Sequence, residues 1–461
     1  MIQLSQENRE KVLENLKKGS VDSAGISFPN LIDTIVLKMK EMGLVGRLAN
    51  CFKDKRKGQI KLPTEILIPL AVTAKMKLKT ALTDISYAIT DAETLAAFGW
   101  NIWDTDRNID EGLFAEGVMR NYIEKYEAKD FIESYNSYVK DEVLNGVLKA
   151  LPDIHILDCT KIEVNLDNPN YENSEVTKID GVSTRGYKLG TLRGVFEDTG
   201  VMEEIVLGGL KTHDMELCRN MLRNTPHFKE GDILINDRGF ISRDMLNLLK
   251  TQRGVDTYVP AKKNMSIHIE AVRLAQVSGK WEKHPNKKRK GQKIQLVKKL
   301  GSMWESESSE SDVDLNACVV WDEKDDEYYV FMTSDMHKTA RQIIRTYELR
   351  AEIEEDYRQI KDFWRLEDFR STQYNYIAFH IVMTLIGYLF YQIFKTTDDG
   401  QKFGGKTLPV VIKNFTVDKP KSVIIYVGCY FGIFPFIDFI QLYASLDPIT
   451  RAKLDPVLAL V

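Results

Sequence analysis

Tyr347, Arg350, Glu354 and Lys361 bring a phenol, a guanidinium, a carboxylate and an ammonium into one stretch, TYELRAEIEEDYRQIK. At about 100° per residue on a continuous helix, all four fall inside a sector roughly 60° wide. The apolar Leu349, Ile353, Tyr357, Ile360 and Trp364 occupy the neighbouring arc, and Glu348, Glu352, Glu355, Gln359 and Asp362 fill the rest. The pattern predicts one amphipathic helix with a core face, a wet face and a mixed-charge edge. The edge suits phosphate chemistry. Arg350 can grip a phosphate with two N–H groups, Lys361 offers a point charge, Tyr347 a hydrogen bond or a stacking face, and Glu354 a hard oxygen ligand for a cation. Taken alone, charges of both signs at helical spacing read more simply as surface ion pairs.

The spacing Tyr-x2-Arg-x3-Glu-x6-Lys resembles the signature of the insertion-sequence-four family of bacterial transposases, cut-and-paste enzymes of the DDE class, and all four positions match. The resemblance implies two catalytic aspartates upstream on buried strands. Asp158 ends the apolar run Ile154-His155-Ile156-Leu157, and Asp237 ends Ile233-Leu234-Ile235-Asn236, so the implied triad is Asp158, Asp237 and Glu354. It further implies two Mg²⁺ ions, with Mn²⁺ as a substitute. Asp158 is expected to bridge the ions, and Tyr347, Arg350 and Lys361 are expected to hold the DNA strand end. Carboxylates are the right donors for such ions, and crowded without metal they repel, which raises the pKa of at least one. Arg238, beside Asp237, is expected either to reach phosphate or, more simply, to make a structural ion pair. His155 lies on the strand face opposite Asp158 and reads as a core or partner-bonded histidine.

The composition, 43% hydrophobic and 28% charged over 461 residues, is that of globular protein with room for one large domain and a smaller one. Five cysteines without a CxxC pair indicate neither a zinc site nor a disulfide framework, which suits a reducing cytosol. The N-terminal residues are polar, with no secretory signal pattern, so a cytoplasmic protein is expected. A formal net charge of −4 argues against an overall nucleic-acid coat. Charge is nevertheless clustered. Lys283, Lys287, Lys288, Arg289, Lys290, Lys293, Lys298 and Lys299 form one basic run, from which Lys287, Lys288, Arg289 and Lys290 are DNA-binding candidates. Lys53, Lys55, Arg56, Lys57 and Lys61 form another, and an acidic stretch from Glu305 to Asp314 offsets the first. The apolar runs Ala378 to Phe394 and Val423 to Phe439 are short or interrupted by Pro435 and Asp438, so both read as buried core helices rather than membrane spans.

Along the chain, residues 1–130 read as an all-helical region, with runs at 30–44, 63–77, 80–88 and 92–98 and helix starts at Thr83-Asp84 and Thr90-Asp91. They fit either a DNA-end reader or a supporting bundle. From about Leu151 the period changes to strands: the Asp158 strand, a hairpin turning at Glu197-Asp198-Thr199-Gly200, a helix from Met215, the Asp237 strand, a helix from Ser242 and a strand at Thr257 to Pro260. This order resembles a ribonuclease-H-like α/β domain, expected over 151–261 and 336–400 and covering nearly the whole C-terminal two thirds. In that fold the two aspartate strands are neighbours. Residues 262–335 are expected to form a β-rich insertion, with a hairpin from Ala317 to Thr333, and residues 401–461 a helical C-terminal region. In the resembling family the insertion contacts the DNA end and supplies an aromatic residue for hairpin formation, for which Trp281, Trp304 and Trp321 are candidates, and an apolar helix packs beneath the catalytic one. The implied activity is cleavage at inverted element ends, through hairpin ends, and joining to target DNA by a homodimer. A ribonuclease-H-like nuclease without strand transfer, and a DNA-binding protein with a relic site, are the alternatives.

Overall fold

The computed structural model describes residues 5–57, 60, 62–88, 91–100, 114–196, 199–305, 312–413 and 419–459. Lys61, Thr90, the turn residues Glu197 and Asp198, and residues 306–311 of the acidic stretch lie outside the described residues. The chain divides into two compact units, residues 149–358, and residues 1–148 with 359–461.

The first unit is built on β1 (Ile154–Val164), β2 (Glu175–Ile179), β3 (Val182–Phe196), β4 (Thr199–Gly209), α1 (Asp214–Asn224), β5 (Ile233–Asn236), α2 (Arg243–Arg253), β6 (Asp256–Pro260), α3 (Ser266–Ser278), β7 (Glu282–Lys283), β8 (Gln292–Val297), β9 (Asn316–Asp322), β10 (Glu327–Thr333), α4 (Ala340–Glu348) and the start of α5 (Ala351–Trp364). β4, β3 and β1 are antiparallel neighbours, and β1, β5 and β6 are parallel neighbours. β5 is short and apolar because a central parallel strand is covered on both faces. One face of β1, β3 and β5 buries Leu157, Leu192 and Leu234 under Met215, Cys218 and Leu222 of α1 and Met245 and Leu249 of α2. α2 starts where the Ser242 hydroxyl accepts from the Met245 amide and stops at Gly254, whose φ of 68° suits glycine.

The expected β-rich insertion is not a separate body. β10 pairs with β6, and β9, β8 and β7 follow outward, so these strands extend the same 10-stranded sheet. α3, missed in the sequence, opens the segment and packs Ile267, Ala271 and Ala275 against β9 and β10. A strand edge already exposing N–H and C=O groups at β6 is the cheapest place for a new hairpin to bond, which is why the insertion merges with the sheet.

The second unit corrects two expectations. Residues 1–130 are not all helical, and residues 401–461 hold a strand hairpin besides the helices Leu408–Lys413, Phe436–Ser445 and Pro448–Leu458. Gln6–Glu7 and Ser23–Ser27 join the hairpin Ser422–Val427/Tyr430–Pro435 in one four-stranded sheet. The run from Val423 is therefore strand as far as Pro435, rich in β-branched residues and turned at Gly428 with φ 59°, and becomes helix only from Phe436. The helices at Leu31–Glu41, Thr64–Met76 and Ala92–Ala97 do form, the last capped by Asp91. Tyr374–Thr396 is long and apolar enough to cross a membrane, yet its most apolar window is wholly buried, as in a core helix. The unit boundary falls inside α5, so residues 359–400 group with the N-terminal helices rather than with the β1–β6 sheet.

Candidate active site

Register brings the two aspartates together. Leu157 of β1 stands beside Asn236 of β5 in a parallel pair, so the next residues, Asp158 and Asp237, are neighbours although 79 positions separate them (237 − 158). Asp158 lies within β1 rather than at its end, on the face opposite Leu157, and pairs across to Thr191 of β3. Asp237 follows β5 and heads the 3₁₀ turn Arg238–Phe240. Each aspartate turns one oxygen back to the following amide, Cys159 N–H at 2.8 Å and Arg238 N–H at 2.7 Å. The other oxygens converge on one guanidinium: Arg350 Nη2 lies 3.1 Å from Asp158 and 3.6 Å from Asp237, and Nη1 lies 2.6 Å from Glu354.

The signature does not occupy a single helix. α4 ends at Glu348, Leu349 and Arg350 make a turn closed by i→i−3 bonds, and α5 restarts at Ala351. The break lets Arg350 point into the carboxylates rather than along the edge that a continuous helix would give it. Tyr347, on α4, packs its ring on Phe331 at 4.6 Å. On α5, Ile353, Tyr357, Ile360 and Trp364 are buried, and the Tyr357 hydroxyl donates to the Asp158 carbonyl at 2.9 Å. Lys361 lies two turns beyond Glu354 and pairs with Glu367 at 3.3 Å. Trp364 packs edge-on against Tyr388 of the apolar helix Tyr374–Thr396.

The electrostatics follow. Burial pushes the Asp158 carboxyl up; Arg350 pulls it back while Asp237 and Glu354 push it further, leaving it at about 6. Burial also raises the Tyr347 phenol, which stays protonated and able to donate. For Arg350 burial opposes the charge, and Asp158 and Asp237 outweigh it. Among the described residues no three His, Cys, Asp or Glu side chains form a ready cation cage. The donor chemistry nevertheless fits hard divalent cations, because three carboxylates already share one positive group.

Beside Glu354 opens a cavity of about 400 Å³, lined by Phe331, Tyr347, Tyr329, His284 and Arg289. A second, of about 370 Å³, lies between Asp237, Arg238, Lys263 and Phe331. Arg238 is exposed and makes no ion pair among the described residues, against the simpler expectation for it. Lys287, Lys288, Arg289 and Lys290 form the exposed β7–β8 loop, where Arg289 lies 3.2 Å from Glu348. In the other basic run Lys55 and Arg56 are tied to Asp130 and Asp54. None of the three tryptophans lines either cavity: Trp281 and Trp321 pack together at 5.5 Å, and Trp304 sits under Arg243. The aromatic residues that line the two cavities include Phe331, Tyr329, Tyr328 and Tyr347. The sequence offered only alternation in β10 as a signal for Phe331 and Tyr329.

His155 faces away from Asp158, as its strand position implies, and is bonded by Glu203 at 2.7 Å and Asp232 at 3.2 Å. Gly194 of β3 is the cross-strand partner of His155, and a Cβ there would collide with Pro152 and meet the Glu203 carboxyl carbon at 2.8 Å.

No curated protein matches the chain. Residues 177–390 match a family model described as a transposase DDE domain. The matched span contains Asp237, Tyr347, Arg350, Glu354 and Lys361, and Asp158 lies upstream of it. Together with its mixed α/β architecture, this match supports a transposase DDE domain within the chain.

Proposed function

We propose that the protein is a cut-and-paste transposase of the insertion-sequence-four type, cutting double-stranded DNA at the inverted ends of its element through hairpin ends and joining them to target DNA. The observation that carries this reading is the convergence of Asp158, Asp237 and Glu354 on Arg350, inside a chain that matches the transposase DDE domain. The strand order β4-β3-β1-β5-β6, antiparallel then parallel, supports a ribonuclease-H-like core. Residues 1–148 supply the remaining surface for end recognition, and pairing two ends calls for a homodimer on DNA.

Asp158, Asp237 and Glu354 would hold two Mg²⁺ or Mn²⁺ ions. Such ions supply a more acidic attacking oxygen and neutralise charge on the phosphate. The chain's own groups do the positioning. Arg350, held by the three carboxylates, offers a planar guanidinium that suits a phosphate once cations take over those carboxylates. Tyr347 donates from a protonated phenol, and its ring with Phe331 walls the cavity where a displaced base stacks. Arg238 and the 287–290 loop present exposed cations to the backbone on either side, and Lys361 extends this charge along α5.

The test is cleavage of linear DNA carrying the ends that flank this gene, with Mg²⁺, by wild type and Glu354→Gln. Hairpin-ended or joined products from wild type alone are expected. Nicking without joining assigns a nuclease. Binding without cleavage by either protein, in Mg²⁺ and Mn²⁺, assigns a relic DNA-binding protein.

A further inference from the structure

Glu354 sits on the exposed side of α5, and what fixes that helix lies on its other side. Arg193 of β3 is 3% exposed, with Nε 2.6 Å from Asp356 and Nη1 2.9 Å from Glu352. Glu352 and Asp356 are one helical turn apart, and Glu354 between them points roughly 160° away. On β3, Arg193 shares a face with Thr191, the cross-strand partner of Asp158, one side-chain pitch of about 7 Å further along.

Two backbone features make room for it. The β3–β4 register slips between Leu192 and Arg193, a bulge of the kind that re-aims a side chain. On β4, Gly200 leaves the space that the guanidinium fills, where a Cβ would collide with it.

A buried pair of this kind adds little net stability over apolar groups of the same volume. It does add direction. The apolar contacts of Ile353 and Tyr357 permit small rotations and slides of α5, whereas a buried charge-assisted hydrogen bond from Nε to Asp356, with an ion pair to Glu352 one turn before it, restricts both. With side chains ending about 6 Å from the axis, a rotation of about 10° moves the Glu354 carboxylate by about 1 Å. Displacements of that size cost on the order of a hundredfold in rate.

We propose that Arg193 is a positioning residue that sets the rotation and slide of α5, and so the distance of Glu354 from Asp158, through its buried hydrogen bond to Asp356 and its ion pair with the half-exposed Glu352. This rests on the transposase reading above, in which Glu354 and Asp158 act together.

The decisive variant replaces the buried pair with apolar groups, Arg193→Met with Asp356→Leu, beside Arg193→Lys, which keeps the charge and loses the fork. Thermal midpoint, kcat and KM for end cleavage in Mg²⁺ are measured for each. The double variant should melt near wild type and bind DNA with KM within about twofold, yet cleave about tenfold slower or worse. Recovery of wild-type kcat together with the melting point would show a merely structural pair and overturn the proposal. Should the double variant not fold, Arg193→Lys decides by the same split. A second readout is independent of catalysis: spin labels at Arg358 on α5 and Glu163 on β1 should give a distance distribution that broadens or shifts in the variants, and an unchanged one overturns the clamp. A wild type that cleaves nothing refutes the transposase reading and leaves the spin-label result to decide on the clamp.

Discussion

Removing Arg350 should make the site bind cations more tightly while disabling it. In the structure one guanidinium is the shared positive charge of three carboxylates, at 3.1 Å, 3.6 Å and 2.6 Å, so Arg350→Gln removes the cation that competes with a metal; Asp158, no longer pulled down by Arg350, takes up a proton more readily, which offsets part of the gain. Opposite charges about 4 Å apart interact by about 4 kcal/mol at an effective dielectric of 20. Glu354, whose side chain is 56% exposed, contributes only a small part of that after solvent screening. Asp158 is largely buried and carries most of the rest, less the cost of keeping Arg350 desolvated; a net of about 1.5–3 kcal/mol is in the range of charge-assisted hydrogen bonds. Metal-free Arg350→Gln should therefore take up Mn²⁺ about tenfold to a hundredfold more tightly than wild type, as measured by electron paramagnetic resonance of free Mn²⁺ at neutral pH without DNA. It should melt lower than wild type in chelator and recover with Mn²⁺, because a ligand that binds only the folded state stabilises it. DNA cleavage should fall, since the phosphate fork is gone. Mn²⁺ affinity equal to or weaker than wild type would refute the reasoning, and Asp158→Asn should abolish the uptake in either background.

Three further outcomes are expected. Burial alone would push His155 down, but Glu203 and Asp232 more than offset it and raise it to about 9, so its stabilisation is complete below the unfolded pKa of about 6.5 and is lost as pH rises through 9. Denaturant titrations of wild type should lose on the order of 3 kcal/mol across that window, and His155→Gln should be less stable at pH 6 and flat across it. Gly194→Ala should give a similar loss by driving Glu203 off His155, checked by the same pH series. Changing Lys287, Lys288 and Lys290 together to Ala should weaken DNA binding evenly across sequences and lower the salt-dependence slope by about 3 at most; an unchanged slope would place the loop off the DNA.

The parts of this protein that were legible in the sequence are local. β1, the β3–β4 hairpin, α1, β5, α2 and the β9–β10 hairpin each announced themselves by period and turn residues, because those signals reside in neighbouring side chains. Pairings across long separations did not. Gln6–Glu7 and Ser23–Ser27 look like fragments beside helices until the C-terminal hairpin offers them a ladder, and the 422–435 run has an apolar composition that suits a buried helix or strand equally. α3 was overlooked because charged residues on both flanks masked a weak apolar stripe.

At the candidate site the division is sharper. Residue types and spacing were enough to single out Tyr347, Arg350, Glu354 and Lys361 and, through the resemblance, Asp158 and Asp237. The sequence alone also required Asp158 and His155 to face opposite sides of β1, since strand side chains alternate. Only the tertiary structure decided that the helix breaks at Leu349–Arg350 and turns the guanidinium into the carboxylates, that Phe331 rather than a tryptophan lies against Tyr347, and that Arg193 grips the far side of α5. The reason is physical: a side chain's type and local period are carried by its own neighbourhood in the chain, whereas its direction and partners depend on register between strands that lie far apart in sequence, and no local pattern encodes that register.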